Sequence, residues 1–212
     1  MPTRRILLAA TAAATALAAL PALAQAPARA NPMPEELRRA LERDPTAPVL
    51  GNPDGDITLT EFFDYNCPHC RTMLPLVQQL VSSDPNLRVV YREWPVFGAG
   101  SDFAARASLA TLPMGRYWQM HAGLLTMRGR AEEATVMRVA RDIGLDEAAL
   151  RQGMLAEPIE RHINTSDMLA DHMGLAGTPS FICGDEAVFG AMTLDELREL
   201  VARGRRTMGV AS

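Results

Sequence analysis

The chain has 212 residues, 48% hydrophobic and 22% charged, with 15 Gly, 15 Pro and a net charge of −4. Those proportions exclude collagen-like, low-complexity and wholly disordered chains, and the length suits one large domain with a self-sufficient core. All 21 basic residues are Arg, which excludes a Schiff-base or phosphate-loop lysine, and the acidic balance argues against a nucleic-acid partner.

Arg4 and Arg5 precede an apolar stretch from Ile6 to about Leu20, and Ala22-Leu23-Ala24 and Ala24-Gln25-Ala26 offer small-x-small sites. This is the pattern of a cleavable export signal over residues 1–26. No later segment approaches the roughly 18 apolar residues of a membrane span, so the expected location is the periplasm. An extension over 27–47 follows. Within it PEELRRALER, residues 34–43, has helical character, with Leu37 and Leu41 as an i,i+4 pair. It has too few turns for a stable coiled coil, so it packs on its own domain or frays, and a monomer is expected.

Residues 57–65, ITLTEFFDY, are rich in β-branched and aromatic types and read as a buried strand. Next comes Cys67-Pro68-His69-Cys70. Pro68 suits the first turn of a helix, and Met73, Leu76, Val77 and Leu80 continue at helical spacing; Pro75 should kink that helix without ending it. Cys67 is thereby placed at a helix N-terminus, where N–H groups and the dipole favour a thiolate, and His69 adds a nearby positive charge. Cys67 is expected to be an accessible thiol of low pKa, with Cys70, one turn in, as the shielded resolving thiol. A zinc site would need a second ligand pair, and His121, His162 and His172 are scattered along helical segments as exposed or core-satisfied residues.

A second strand is expected at 87–94. Helices are expected at 102–112, 116–127, 131–143, 146–155 and 158–173, punctuated by Pro113, Gly129, Gly144 and Pro158. Strand signals return at 179–183 and 186–190 around a Gly184-Asp185 turn. Thr193 and Glu196 form a capping box opening a last helix over about 193–203. Strand, helix and strand make a parallel crossover; the late hairpin adds antiparallel strands. Glu61 shares a strand face with Ile57 and Leu59; burial there would raise its pKa and let it exchange protons with Cys70, whereas a strand-end position would leave it in water. Cys183, four residues past Pro179, reads as a structural thiol or an intermolecular disulfide partner, not a catalytic one.

This order of elements, with EFFDYNCPHC near its start and GTPSF before the hairpin, resembles the DsbA family of thiol–disulfide oxidoreductases from about Asp44 to Arg203. DPTAPVLGNPDGDITL and the helical block are similar to its branch that includes ScsC-type proteins. The resemblance implies an α/β fold, a thioredoxin domain spanning 48–205 with an inserted helical domain over about 101–173, and a tail at 206–212. It implies that Cys67 is the nucleophile, Cys70 its partner, and Pro68 and His69 the dipeptide that tunes redox potential. Pro179 then matches a cis-proline facing the dithiol, Thr178 presents backbone groups to substrate, and Glu61 matches an acidic position beneath the site. Substrates would be reduced or unfolded exported proteins, and no cofactor or metal is needed. The membrane redox partner would be DsbB-like and quinone-linked for an oxidase, or DsbD-like for a reductase or isomerase. Twelve Met residues leave a copper-binding or holdase protein as the alternative class, although Met120, Met127, Met137, Met154, Met168 and Met173 sit at helical positions where core packing is the default.

Overall fold

The computed structural model describes residues 32–210, so the expected export signal lies outside the described residues. Chain order is α1 (Glu35–Glu42), β1 (Val49–Gly51), β2 (Ile57–Phe63), α2 (Pro68–Ser83) and β3 (Leu87–Glu93). Five helices follow: α3 (Ala99–Ala110), α4 (Tyr117–Thr126), α5 (Glu133–Asp142), α6 (Glu147–Gly153) and α7 (Glu157–His172). The chain then forms β4 (Ser180–Cys183), β5 (Glu186–Phe189) and α8 (Leu194–Met208). The strands make one mixed sheet in the order β1-β3-β2-β4-β5. β2 and β3 are parallel around α2, whereas β4 and β5 add antiparallel strands. This is the expected α/β plan, with the helical block inserted between β3 and β4.

Every residue of β2 and β3 is buried, because helices cover both sheet faces. On one face Ile57, Leu59, Phe63, Leu87, Val89, Tyr91 and Phe181 pack in the larger core with α2, α8 and the inserted helices. On the other, Phe62 and Ile182 meet Leu41 of α1 and Leu169 and Ala170 of α7. α2 continues through Pro75.

Three local features depart from expectation. β1 was not foreseen: Val-Leu-Gly is too short to show alternation, and it is a strand because the β3 edge offers it a partner, Val49 against Val90. β2 stops at Phe63, since Asp64 turns the chain by accepting from the backbone N–H of Asn66 (2.6 Å) and of Cys67 (3.1 Å). α8 runs past the expected end near 203, through Gly204, to a left-handed Gly209. The reason is contact: a Cβ on Gly204 would lie 2.4 Å from the Cys183 sulfur, so only glycine lets α8 close on the end of β4.

The extension packs on its own domain. Leu41 is fully buried, and the guanidinium of Arg92, buried on β3, donates to the carbonyls of Ala40 and Leu41 and to Asp44 Oδ2 at 2.8 Å. These bonds satisfy carbonyls that a helix C-terminus leaves open and pair a charge that would be costly to bury alone. Leu41→Ala should therefore lower the free energy of unfolding by about 2–5 kcal/mol, read from urea denaturation. A loss below about 0.5 kcal/mol, the usual size of a surface effect, would mean that α1 frays.

Candidate functional site

Cys67 is the N-cap of α2, with Pro68 in the first turn. Its sulfur accepts from the Cys70 N–H at 3.4 Å and approaches the Thr178 carbonyl oxygen at 3.3 Å, as donor while it is a thiol. The Thr178-Pro179 peptide is cis. β4 starts immediately after it, with Ser180 paired to Phe62 of β2, and this pairing sets the proline loop against the N-terminus of α2.

Electrostatics separate the two thiols. Cys67 is lowered to about 5, chiefly by the hydrogen bond from the Cys70 thiol, which outweighs burial; the Thr178 side chain and the N–H groups of Cys70 and His69 add to it. Cys70 is pushed far up by burial, by its bond to Cys67 and by the charge of Glu61. Glu61, 4% exposed, is raised to about 8 by burial and then by the negative charge of Cys67. Burial, not a watery strand end, is its condition.

One expectation needs correction. Cys67 is 1% exposed, not open to solvent, with its sulfur against the Thr178 carbonyl; its neighbours Pro68 and His69 are exposed. The backbone N–H of His69 is among the donors that favour the Cys67 thiolate. Cys183 sits at the far end of β4, opposite Leu59, and burial pushes its thiol up to about 12.

Several residues that hold the site escaped the sequence reading. Asn66 is bound to Ala131 in both directions: it accepts from the Ala131 N–H at 2.7 Å and donates to the Ala131 carbonyl at 3.1 Å. Arg71, one turn after Cys67, donates to the carbonyls of Tyr65 and Met127. Asp64 accepts from Ser101 Oγ and the Phe97 N–H. Together they clamp the loop before Cys67 to the helical block. The available signal was polar Asp64 and Asn66 inside an otherwise apolar run.

His121 and His162 are buried. His121 lies in contact with Phe63, Tyr65, Tyr91, Tyr117 and Trp118, and burial lowers it to about 3. His162 Nε2 stands 2.8 Å from Glu93 Oε2, off the line of a hydrogen bond. Among the described residues no group of three or more His, Cys, Asp and Glu side chains converges on a metal position. Met120, Met137 and Met154 are core residues, whereas Met168 is exposed.

A family model described as "DSBA-like thioredoxin domain" matches residues 58–202. The crystal structure of a thioredoxin-like oxidoreductase from Silicibacter pomeroyi DSS-3 is 50% identical, with a TM-score of 0.78 over 80% of this chain and 98% of that one. The thiol-disulfide exchange protein alpha-DsbA2 from Wolbachia pipientis is 29% identical, with a TM-score of 0.73 over 79% of this chain and 91% of that one. Among curated proteins, Na(+)/H(+) antiporter NhaA 1 of Salinispora arenicola (strain CNS-205) is 27% identical over 155 residues, 72% of this chain and 24% of that protein. The chain spans about a quarter of the length of the first such relatives.

Thiolate absorbance of the reduced protein should show a transition near pH 5 that Cys67→Ser removes; a transition near the free-thiol value of about 8.5 would refute the electrostatic picture. The same shift has a stability signature. A thiol whose folded pKa lies below its unfolded value contributes stability that is complete above about pH 8.5 and lost as pH falls through the folded pKa. The melting temperature of the dithiol form, relative to the disulfide form, should therefore fall as pH is lowered from about 8.5 to about 5. The larger, burial-driven part of the opposite contribution of Glu61 is common to both forms and cancels in the comparison; the smaller part set by the Cys67 charge belongs to the dithiol form.

Proposed function

The chain belongs to the DSBA-like thioredoxin domain family, whose members are thiol–disulfide oxidoreductases, and on that footing we propose that it forms disulfides in exported proteins through its Cys67–Cys70 pair. The observation that carries this reading is the asymmetry of the pair: a thiolate favoured at Cys67, a proton held at Cys70. Stabilising the thiolate stabilises the reduced enzyme and makes its disulfide the stronger oxidant, by about 30 mV for each tenfold in equilibrium constant.

In the reaction a substrate thiolate attacks the Cys67 sulfur of the Cys67–Cys70 disulfide. The S–S bond breaks, a mixed disulfide forms at Cys67, and Cys70 leaves as a thiolate. Glu61, neutral below about pH 8, gives it a proton. A second substrate thiolate attacks the substrate sulfur of the mixed disulfide and releases the Cys67 thiolate, which the N–H groups of Cys70 and His69 receive. Thr178 and cis-Pro179 are assigned to hold the substrate backbone beside Cys67. Exposed Val96, Phe97 and Phe189 suit an unfolded chain: Phe97 is bonded to the Asp64 turn, and the Phe189 ring lies by Gly177.

Export rests on the leader pattern over 1–26, and the domain limits given above are read with it. The reading includes a monomer and a DsbB-like, quinone-linked partner that regenerates the disulfide. An isomerase brings two or more dithiols to a shared cleft, and here α1, the one helix before the sheet among the described residues, is spent on its own domain.

The reduction potential of the pair against glutathione, together with oxidation of a dithiol peptide, tests the proposal. An oxidising potential and rapid peptide oxidation are expected, with turnover abolished in Cys67→Ser. A potential as low as a structural disulfide's, below about −300 mV, or an oligomer that reactivates scrambled ribonuclease, would replace the oxidase with a reductase or isomerase.

A further inference from the structure

Tyr91 is a buried polar side chain that the exchange chemistry leaves unused. It stands on β3, 1% exposed, and its hydroxyl has no hydrogen-bond partner among the described residues. An unsatisfied buried hydroxyl is destabilising, and phenylalanine would fill the same space without it. In the parallel β2–β3 register Tyr91 is the direct partner of Glu61, so the two side chains leave the sheet side by side on one face.

The surroundings leave that hydroxyl few acceptors. The Tyr91 ring is walled by Phe63, Trp118 and His121. The His121 ring centroid stands 4.9 Å from that of Tyr91; its Nε2 has no hydrogen-bond partner among the described residues, and its Nδ1 is engaged with Tyr65 and Tyr117. The titratable groups that face Glu61 are Cys67 and Cys70 from α2 and Tyr91 from β3; β4 presents Phe181. Beyond Tyr91 lie Tyr65 and Glu93. Within this set Cys70 is the thiol that Glu61 serves and Cys67, while a thiol, donates to the Thr178 carbonyl, which leaves the Tyr91 hydroxyl as the prospective donor to a Glu61 carboxylate.

We propose that Tyr91 is a positioning residue for Glu61, its hydroxyl donating to the carboxylate that Glu61 becomes when it gives its proton to Cys70. The proposal rests on the reading of Glu61 as the proton partner of Cys70. In that step the Glu61 O–H bond breaks, its electron pair stays on the carboxylate oxygen, and the Cys70 S–H bond forms. Electron transfer remains confined to the thiol–disulfide exchange. Tyr91 keeps the new charge tolerable in the core until a proton returns.

The test is Tyr91→Phe in the full chain, which removes one oxygen atom, with Glu61→Gln and the double variant beside it. Two quantities are read: the carboxyl titration of Glu61, followed by NMR with labelled glutamate, and the pH profile of dithiol-peptide oxidation. Parent enzyme should lose rate as pH rises through the Glu61 transition, and Glu61→Gln should abolish that limb. Tyr91→Phe should melt no lower than the parent, move the Glu61 titration and the alkaline limb up by about one unit, and slow oxidation several-fold at neutral pH. In the double variant the Tyr91 effect should vanish. If Glu61→Gln removes the limb while Tyr91→Phe leaves the Glu61 titration in place, whatever its melting temperature, Tyr91 is overturned and the Glu61 reading stands. If Glu61→Gln leaves the limb untouched, the Glu61 reading itself fails and the proposal falls with it.

Discussion

One negative charge has to live just beneath the surface at the start of α2, and the rest of the site is arranged around it. Cys67 is nearly inaccessible, so water does not solvate its thiolate and fixed donors must. They come from the first turn of the helix and from the Cys70 thiol. That same thiol is then obliged to stay protonated, and Glu61 below it is pressed toward neutrality by the charge above. Three acidic groups share a space that accepts a single anion. Which of them holds the charge defines where the exchange reaction stands, which makes their coupling the chemistry itself and not a background to it.

That sharing explains why the sheet carries a carboxylate at all. β2 is buried along its whole length, and Glu61 interrupts a face of Ile57, Leu59 and Phe63. As a structural element it is a liability. A leucine there would pack better, and the site would lose a nearby proton source.

Much of this was legible from the chain. Cys-Pro-His-Cys after a β-branched strand and Thr-Pro before a hairpin marked both halves of the site, and proline and glycine punctuation marked the inserted helices to within a few residues. What was hidden is what depends on distant partners. Buried Cys67 has its sulfur against the carbonyl of Thr178, 111 residues away, and no local pattern around the dithiol encodes that contact. β1 exists through its β3 partner, and α8 outruns Gly204 because the helix must touch Cys183. Arg92 stands within the expected second strand, yet it closes the C-terminus of α1. Propensity could not anticipate these features because each is a tertiary contact between elements that are individually unremarkable in sequence.

The clamp between the nucleophile loop and the helical block has a consequence for how such a protein diversifies. Asn66 holds the amide and carbonyl of Ala131, and Arg71 holds the carbonyl of Met127. At Met127 and Ala131 every atom grasped is main chain, whereas at Ser101 the loop grips a hydroxyl. The grip is indifferent to which side chains stand at 127 and 131, but it depends on the spacing between them. Side-chain choice at 127 and 131 is limited by packing, since Ala131 is buried and Met127 lies against the core, but not by the hydrogen bonds. An insertion or deletion of one residue there, by contrast, would shift the carbonyls and amide that Asn66 and Arg71 hold beside the thiol. For these hydrogen bonds, the length of the turn matters and the chemistry of its side chains does not.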